Sequence, residues 1–145
     1  MPYDSHSRAV SDLKAHIVLA TKYRRKVISP EMKARMGEIL TSVCEKWGVE
    51  ILEFNGEADH VHLLMRYYPQ LQLSKFVNNV KTVTSRMLRK EFSSQIKKFY
   101  WGTDAFWNSS YFVASCGGVT VETLRKYVEN QEQIPLEGDS SQRQA

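Results

Sequence analysis

Hydrophobic positions along this chain switch repeatedly between a period of two and a period near 3.6, and the switches mark out alternating strands and helices. Residues 16–23 alternate in polarity and are rich in branched side chains, which predicts a first strand running into the basic turn Arg24-Arg25-Lys26. Ser29, Pro30 and Glu31 then form a helix start, because a serine oxygen can cap the free amides and proline suits the first helical position. Met32, Met36, Ile39, Leu40, Val43 and Trp47 follow at helical spacing and stop at Gly48, which predicts an amphipathic helix with a glycine end. Residues 49–54 read as a second strand, Asn55-Gly56 as a hairpin turn, and residues 60–66 as a third strand.

A second amphipathic helix is predicted from about Leu73, with Phe76, Val77, Val80, Val83, Thr84, Met87 and Leu88 as its buried stripe. After an aromatic and basic stretch, residues 111–115 read as a fourth strand broken by Gly117-Gly118. A last helix runs from a Thr120 cap to about Gln131, packing through Val121, Leu124 and Val128. This order predicts an α+β fold, a ferredoxin-like (RRM-like) βαββαβ sandwich with an additional C-terminal helix. Both main helices of that topology cover one face of the sheet, which leaves the other for the last helix, a partner or a ligand.

At 145 residues the chain can bury one core but not two, so residues 14–134 are expected to form one domain. Residues 1–13 and 135–145 are expected to be flexible tails. No apolar run approaches the ~20 residues that span a bilayer, and the polar start lacks the layout of a secretory signal. A cytoplasmic location is the expectation. Cys44 and Cys116 are too few for a disulfide framework or a cysteine zinc site and are expected to fill the core. The net charge of +4 hints only mildly at an anionic partner, but its distribution says more. Lys75, Lys81, Arg86, Arg89, Lys90, Lys97 and Lys98 fall in one stretch opposed only by Glu91. A solvated helix face explains such a run about as well as nucleic acid does.

Two short patterns carry possible chemistry. In a strand His60 and His62 point the same way while Val61, Leu63 and Met65 point the other, so both imidazoles meet on the open face and could ligate one metal. A bare His-x-His is weakly specific, but Asp59 stands beside the pair as an acceptor able to orient a ring. On the last helix Tyr127 and Gln131 lie four residues apart and share a face. Packed over the open sheet face, that helix could bring an amide oxygen to the metal and a phenol to a bound phosphate. Taken alone, a tyrosine and a glutamine there are more often packing and solvated residues.

Together these residues resemble a known family. Asp59-His60-Val61-His62-Leu63-Leu64, Phe106-Trp107, Ser110-Tyr111-Phe112-Val113-Ala114-Ser115, Gly117-Gly118, and Tyr127 with Gln131 are similar to the single-tyrosine HUH transposases of insertion sequences that move as single strands, the small TnpA type. The resemblance runs from about His16 to Gln131 and includes Tyr23-Arg24-Arg25-Lys26 and Lys81-Thr82-Val83-Thr84-Ser85-Arg86. It implies a Tyr127 nucleophile that forms a 5′-phosphotyrosine, a divalent metal (Mg or Mn) held by His60, His62 and Gln131, and recognition of hairpins at element ends. It also implies a homodimer in which the tyrosine helix can serve the partner's histidine pair, with Gly117-Gly118 as the hinge.

Candidate DNA contacts are Arg24, Arg25 and Lys26 on the turn, Lys81, Arg86, Arg89 and Lys90 on the second helix, and Lys97, Lys98, Tyr100, Trp101 and Trp107 in the aromatic stretch. Cations interleaved with stacking faces suit unpaired bases and their backbone, although a hydrophobic cluster beneath a long loop would use the same aromatics. Three other functions compete. A domesticated relative that nicks repeated palindromes differs only in its flanking DNA. A noncatalytic single-strand-binding module expects exposed aromatics on the central strands. A histidine-based zinc hydrolase needs another protein ligand near the pair.

Overall fold

Local chemistry sets the ends of the first helix. In the computed structural model, which describes residues 12–115, α1 (Pro30–Trp47) begins at Ser29, whose hydroxyl accepts from the Met32 amide at 3.2 Å. It ends at Gly48 in the left-handed region (φ 70°), where the glycine N–H reaches the Cys44 and Glu45 carbonyls. Met32, Met36, Ile39, Leu40, Val43 and Cys44 form its buried face. The second helix, α2 (Leu73–Glu91), buries Phe76, Val77, Val80, Thr84 and Leu88. An Arg35 guanidinium joins α1 to α2 through both oxygens of Glu91, at 2.8 and 3.0 Å.

The sheet comprises β1 (Leu13–Thr21), β2 (Glu50–Glu57), β3 (His60–Tyr67) and β4 (Trp107–Ser115) in the order β2-β3-β1-β4, every neighbouring pair antiparallel. This is the ferredoxin-like α+β arrangement expected from the element order. Ile17, Leu19, Val61 and Leu63 point to the helices and meet Met36, Leu40, Phe76, Val77 and Val80. Alternation then sends His16, Val18, His60, His62 and Leu64 to the other face, where all are buried.

Four expectations need correction. The Asn55-Gly56 turn is not a turn: Asn55 pairs with His62 and Gly56 with Val61, while Ala58 and Asp59 make the reversal. Glycine at 56 serves close approach instead, since a Cβ there would come within 2.5 Å of the His60 carbonyl oxygen and 2.8 Å of the Val61 Cα. β1 begins earlier and stops at Thr21, because Tyr23 and Arg24 turn left-handed (φ 58° and 52°) and end the ladder. β4 begins at Trp107, which pairs with Thr21. A further helix, α3 (Ser93–Tyr100), occupies part of the aromatic and basic stretch. It buries only Ile96 and Tyr100, too few positions to establish a period in sequence. The expected final helix and C-terminal tail lie outside the described residues.

Candidate metal and DNA site

The central strands place His60 and His62 as their alternation requires. Their ring centroids lie 4.9 Å apart with planes at 89°, and both rings are buried. Asp59, at the tip of the β2–β3 hairpin, lies 2.8 Å through Oδ1 from His60 Nδ1, while its Oδ2 accepts from Arg24 at 3.2 Å. Burial alone would raise the Asp59 pKa, but the His60 hydrogen bond and the Arg24 charge together hold it below its usual value. An ionised carboxylate only accepts, so a proton sits on His60 Nδ1 and Nε2 is the ring nitrogen left to act as a ligand. That Nε2 is buried and has no hydrogen-bond partner among the described residues. Burial, reinforced by His60 and His16, pushes His62 down to about 3, so this ring is neutral at physiological pH. Two imidazoles side by side, one oriented by a carboxylate and the other held neutral by burial, make a donor set that fits a divalent cation.

A third imidazole went unnoticed in the sequence. His16 on β1 stacks on His62 at a centroid distance of 5.7 Å and meets Phe112 edge-on at 5.6 Å, and burial pushes it down to about 4. The available signal was the β1 alternation, which sends His16 to the face opposite Ile17 and Leu19. Among the described residues no group of three or more His, Cys, Asp or Glu is placed to hold a metal. Tyr127 and Gln131, expected to complete the site, lie outside the described residues, as does Gly117-Gly118.

The candidate DNA contacts fall into distinct environments. Lys26, Arg86, Lys90, Lys97 and Lys98 are exposed, and Trp101 keeps 72% of its surface open. Lys81 is engaged with the start of β4 through the Asn108 and Ser109 carbonyls at 2.8 and 3.1 Å, and Arg89 pairs with Asp104 at 3.1 Å. Arg24 is tied to Asp59, and Arg25 donates to the Phe99 carbonyl. Tyr100 and Trp107 sit in the core: the Tyr100 hydroxyl donates to the Lys22 carbonyl at 2.6 Å and the Trp107 indole to Thr84 Oγ1 at 2.9 Å. Neither ring has an open face for stacking; both serve the fold. Among the described residues the exposed large hydrophobic side chains are Tyr23 and Trp101, both off the sheet. The central strands therefore lack the exposed aromatics that a noncatalytic single-strand-binding sheet requires.

The profile of the family "Transposase IS200 like" matches residues 9–131. The chain belongs to the IS200-like transposase family. A transposase for insertion sequence element IS200 from Salmonella typhimurium is 36% identical over 118 residues, covering 81% of this chain and 76% of that one. The ISDra2 transposase TnpA of Deinococcus radiodurans is 30% identical over 122 residues, 84% of this chain and 86% of its own. A crystal structure of a Deinococcus radiodurans protein described as a transposase superposes with a TM-score of 0.69 at 31% identity, covering 86% of this chain and 95% of that one. A REP-associated tyrosine transposase bound to a REP hairpin shares the fold, with a TM-score of 0.59 at 11% identity over 83% of this chain and 64% of its own.

Membership of this transposase family brings DNA cleavage and strand transfer as the class of activity, and the family generally uses a divalent metal. The buried His60–His62 pair is the place in the described fold whose donors suit such an ion. No helix among the described residues is long and apolar enough to cross a membrane.

Proposed function

We propose that this transposase cleaves and rejoins single-stranded DNA at the ends of an insertion sequence, with Tyr127 as nucleophile and His60, His62 and Gln131 holding Mg²⁺ or Mn²⁺. The observation that supports this most is the histidine pair itself: two buried rings in contact on the face away from the helices, His60 aligned by Asp59 with its Nε2 unengaged among the described residues. Burial of a polar nitrogen without a partner is costly, and a metal ligand is the role in which such a nitrogen is satisfied.

In the proposed reaction the Tyr127 oxygen attacks the scissile phosphorus and loses its proton, the bond from phosphorus to the 3′ oxygen breaks, and that departing oxygen takes up a proton in turn. A 5′-phosphotyrosine and a free 3′-hydroxyl result. The bond to tyrosine retains much of the phosphodiester's energy, so a 3′-hydroxyl on another strand can reverse the step without ATP. A bound divalent ion supplies charge neutralisation at the phosphate, which matters because a phenol with a pKa near ~10 is a poor nucleophile while protonated. Hairpins at the element ends are read by the cations of α2 and of the turn 24–26. The working unit is a homodimer whose tyrosine helices serve the histidine pairs.

The test is covalent capture. Single-stranded DNA taken from the regions flanking the coding sequence should become attached to the protein in Mn²⁺ or Mg²⁺, as a shifted band on a denaturing gel. Tyr127→Phe should abolish the adduct and leave hairpin binding intact. An adduct that persists in the phenylalanine variant would show that another group attacks.

A further inference from the structure

The turn Lys22–Arg24 holds a conformation that its residues do not favour. Tyr23 and Arg24 both take left-handed backbone angles, φ 58° and 52°, although neither is glycine, asparagine or aspartate. Packed neighbours enforce it. The Lys22 N–H donates to the Phe106 carbonyl at 2.9 Å, and the Lys22 carbonyl accepts from the buried Tyr100 hydroxyl at 2.6 Å. On the far side of the turn, the Arg25 carbonyl accepts from the buried Thr21 hydroxyl at 2.6 Å. Left-handed backbone held from both ends turns the Tyr23 ring outward, leaving it 72% exposed, where a tyrosine would ordinarily bury its apolar face. Two cations lie over that ring, Arg25 at 5.1 Å and Lys22 at 5.6 Å from its centroid, and the ring stays largely exposed beneath them.

Position gives the turn its meaning. Arg24, the next residue, reaches Asp59, and Asp59 touches His60. The backbone closes the same link, since the Thr21 N–H donates to the Asp59 carbonyl at 3.0 Å. A largely exposed aromatic ring with two cations over it therefore stands two side-chain contacts from His60. Arg25 is itself tied to the Phe99 carbonyl and lies over Tyr100 at 5.4 Å, so the guanidinium is ordered before any ligand arrives.

We infer that Tyr23 is a stacking platform for one unpaired base of the DNA strand, with Lys22 and Arg25 receiving the phosphates on either side of it. The chemistry is that of single-strand recognition, in which a ring face takes any base and neighbouring cations take the backbone. The platform deepens the proposed function by fixing where the strand lies as it approaches the histidine pair. Strain in the turn is the cost of preorganisation: the ring is presented before the strand binds.

The test compares two probes on the full-length protein: an oligothymidylate of about 12 nucleotides and an abasic oligomer of the same length, a size within the usual ~4 to 16 nucleotide range of single-strand sites. Tyr23→Asn removes the ring, and asparagine tolerates the left-handed angle, so the turn survives. Tyr23→Phe keeps the ring. By fluorescence anisotropy, Tyr23→Asn should bind oligothymidylate about 5- to 150-fold more weakly, the loss of one stacked base. Its affinity for the abasic oligomer should stay within about twofold, and Tyr23→Phe should match wild type on both probes. Unchanged oligothymidylate binding by Tyr23→Asn, or equal weakening on both probes, would overturn the platform. If wild type binds these strands and forms the Tyr127 adduct while Tyr23→Asn is indifferent, the platform alone fails. A wild type that binds neither strand removes the platform together with the single-strand reading on which it rests.

Discussion

Burying His16 and His62 on one sheet face has a consequence for stability that can be worked out before any DNA is added. Burial pushes His16 from 6.5 down to about 4 and His62 from 6.5 down to about 3. Both shifts are downward, so below about pH 6.5 the unfolded chain binds protons that the native state does not. Stability is therefore full above that pH and is lost as the pH falls, until the native rings protonate near 4 and 3. The slope is about 1.4 kcal/mol per pH unit for each ring, which gives about 2 kcal/mol per ring between roughly pH 7 and pH 5, and about 4 kcal/mol for the two. That is a large part of the ~5 to 15 kcal/mol that holds a domain folded. Asp59, held below its ordinary 3.8, loses its contribution only at lower pH and does not enter this window. Urea denaturation at a series of pH values, with a chelator present so that metal binding does not mask the effect, measures the slope directly. His16→Phe, which places another ring against Phe112, should halve the loss. Equal slopes for the variant and wild type, or a flat profile, would show that these rings are not held neutral by the fold.

Two further outcomes follow from the hairpin that carries the pair. Asp59→Ala removes the acceptor that fixes the His60 ring, so Mn²⁺ affinity measured by calorimetry should fall about 10- to 100-fold; an unchanged affinity would mean that the carboxylate does not orient the ligand. Gly56→Ala forces a methyl into the His60 carbonyl and the Val61 Cα, at 2.5 and 2.8 Å. It should lower stability by about 1 to 3 kcal/mol in thermal melts and weaken Mn²⁺ binding as His60 shifts, whereas a wild-type melting temperature would show that the strands part without cost.

What the sequence disclosed divides along a physical line. Features fixed by neighbours in the chain were legible: the Ser29 cap, the Gly48 end, the stripe of α2, and the alternation that pairs His60 with His62. Features fixed by residues distant in the chain were not. Asn55-Gly56 carries the local signature of a turn, yet its glycine answers to the approach of β3 and the reversal falls at Ala58 and Asp59 instead. His16 joins the histidine pair only through the register that sets Val18 opposite His62. Tyr100 and Trp107 have the composition of a stacking surface, and only Lys22 and Thr84, contributed by other elements, draw them inward.

The same division explains the recognition face. A run of cations and aromatics states that a polyanion suits the chain, but not which side chains are spent on the fold. Lys81 holds the start of β4, Arg89 holds Asp104, and Tyr100 holds the turn after β1. Tyr23, which the sequence placed merely inside a basic segment, is the ring left exposed, because its backbone angle is dictated by hydrogen bonds to the Phe106 carbonyl and from the Tyr100 and Thr21 hydroxyls on either side of it. The side chains that strengthen the turn are thus a buried tyrosine and a buried threonine, while the one it displays stands next to the residue that anchors Asp59. Substituting Tyr100 should therefore disturb DNA binding indirectly, by releasing the turn, whereas substituting Tyr23 removes the contact and leaves the scaffold standing.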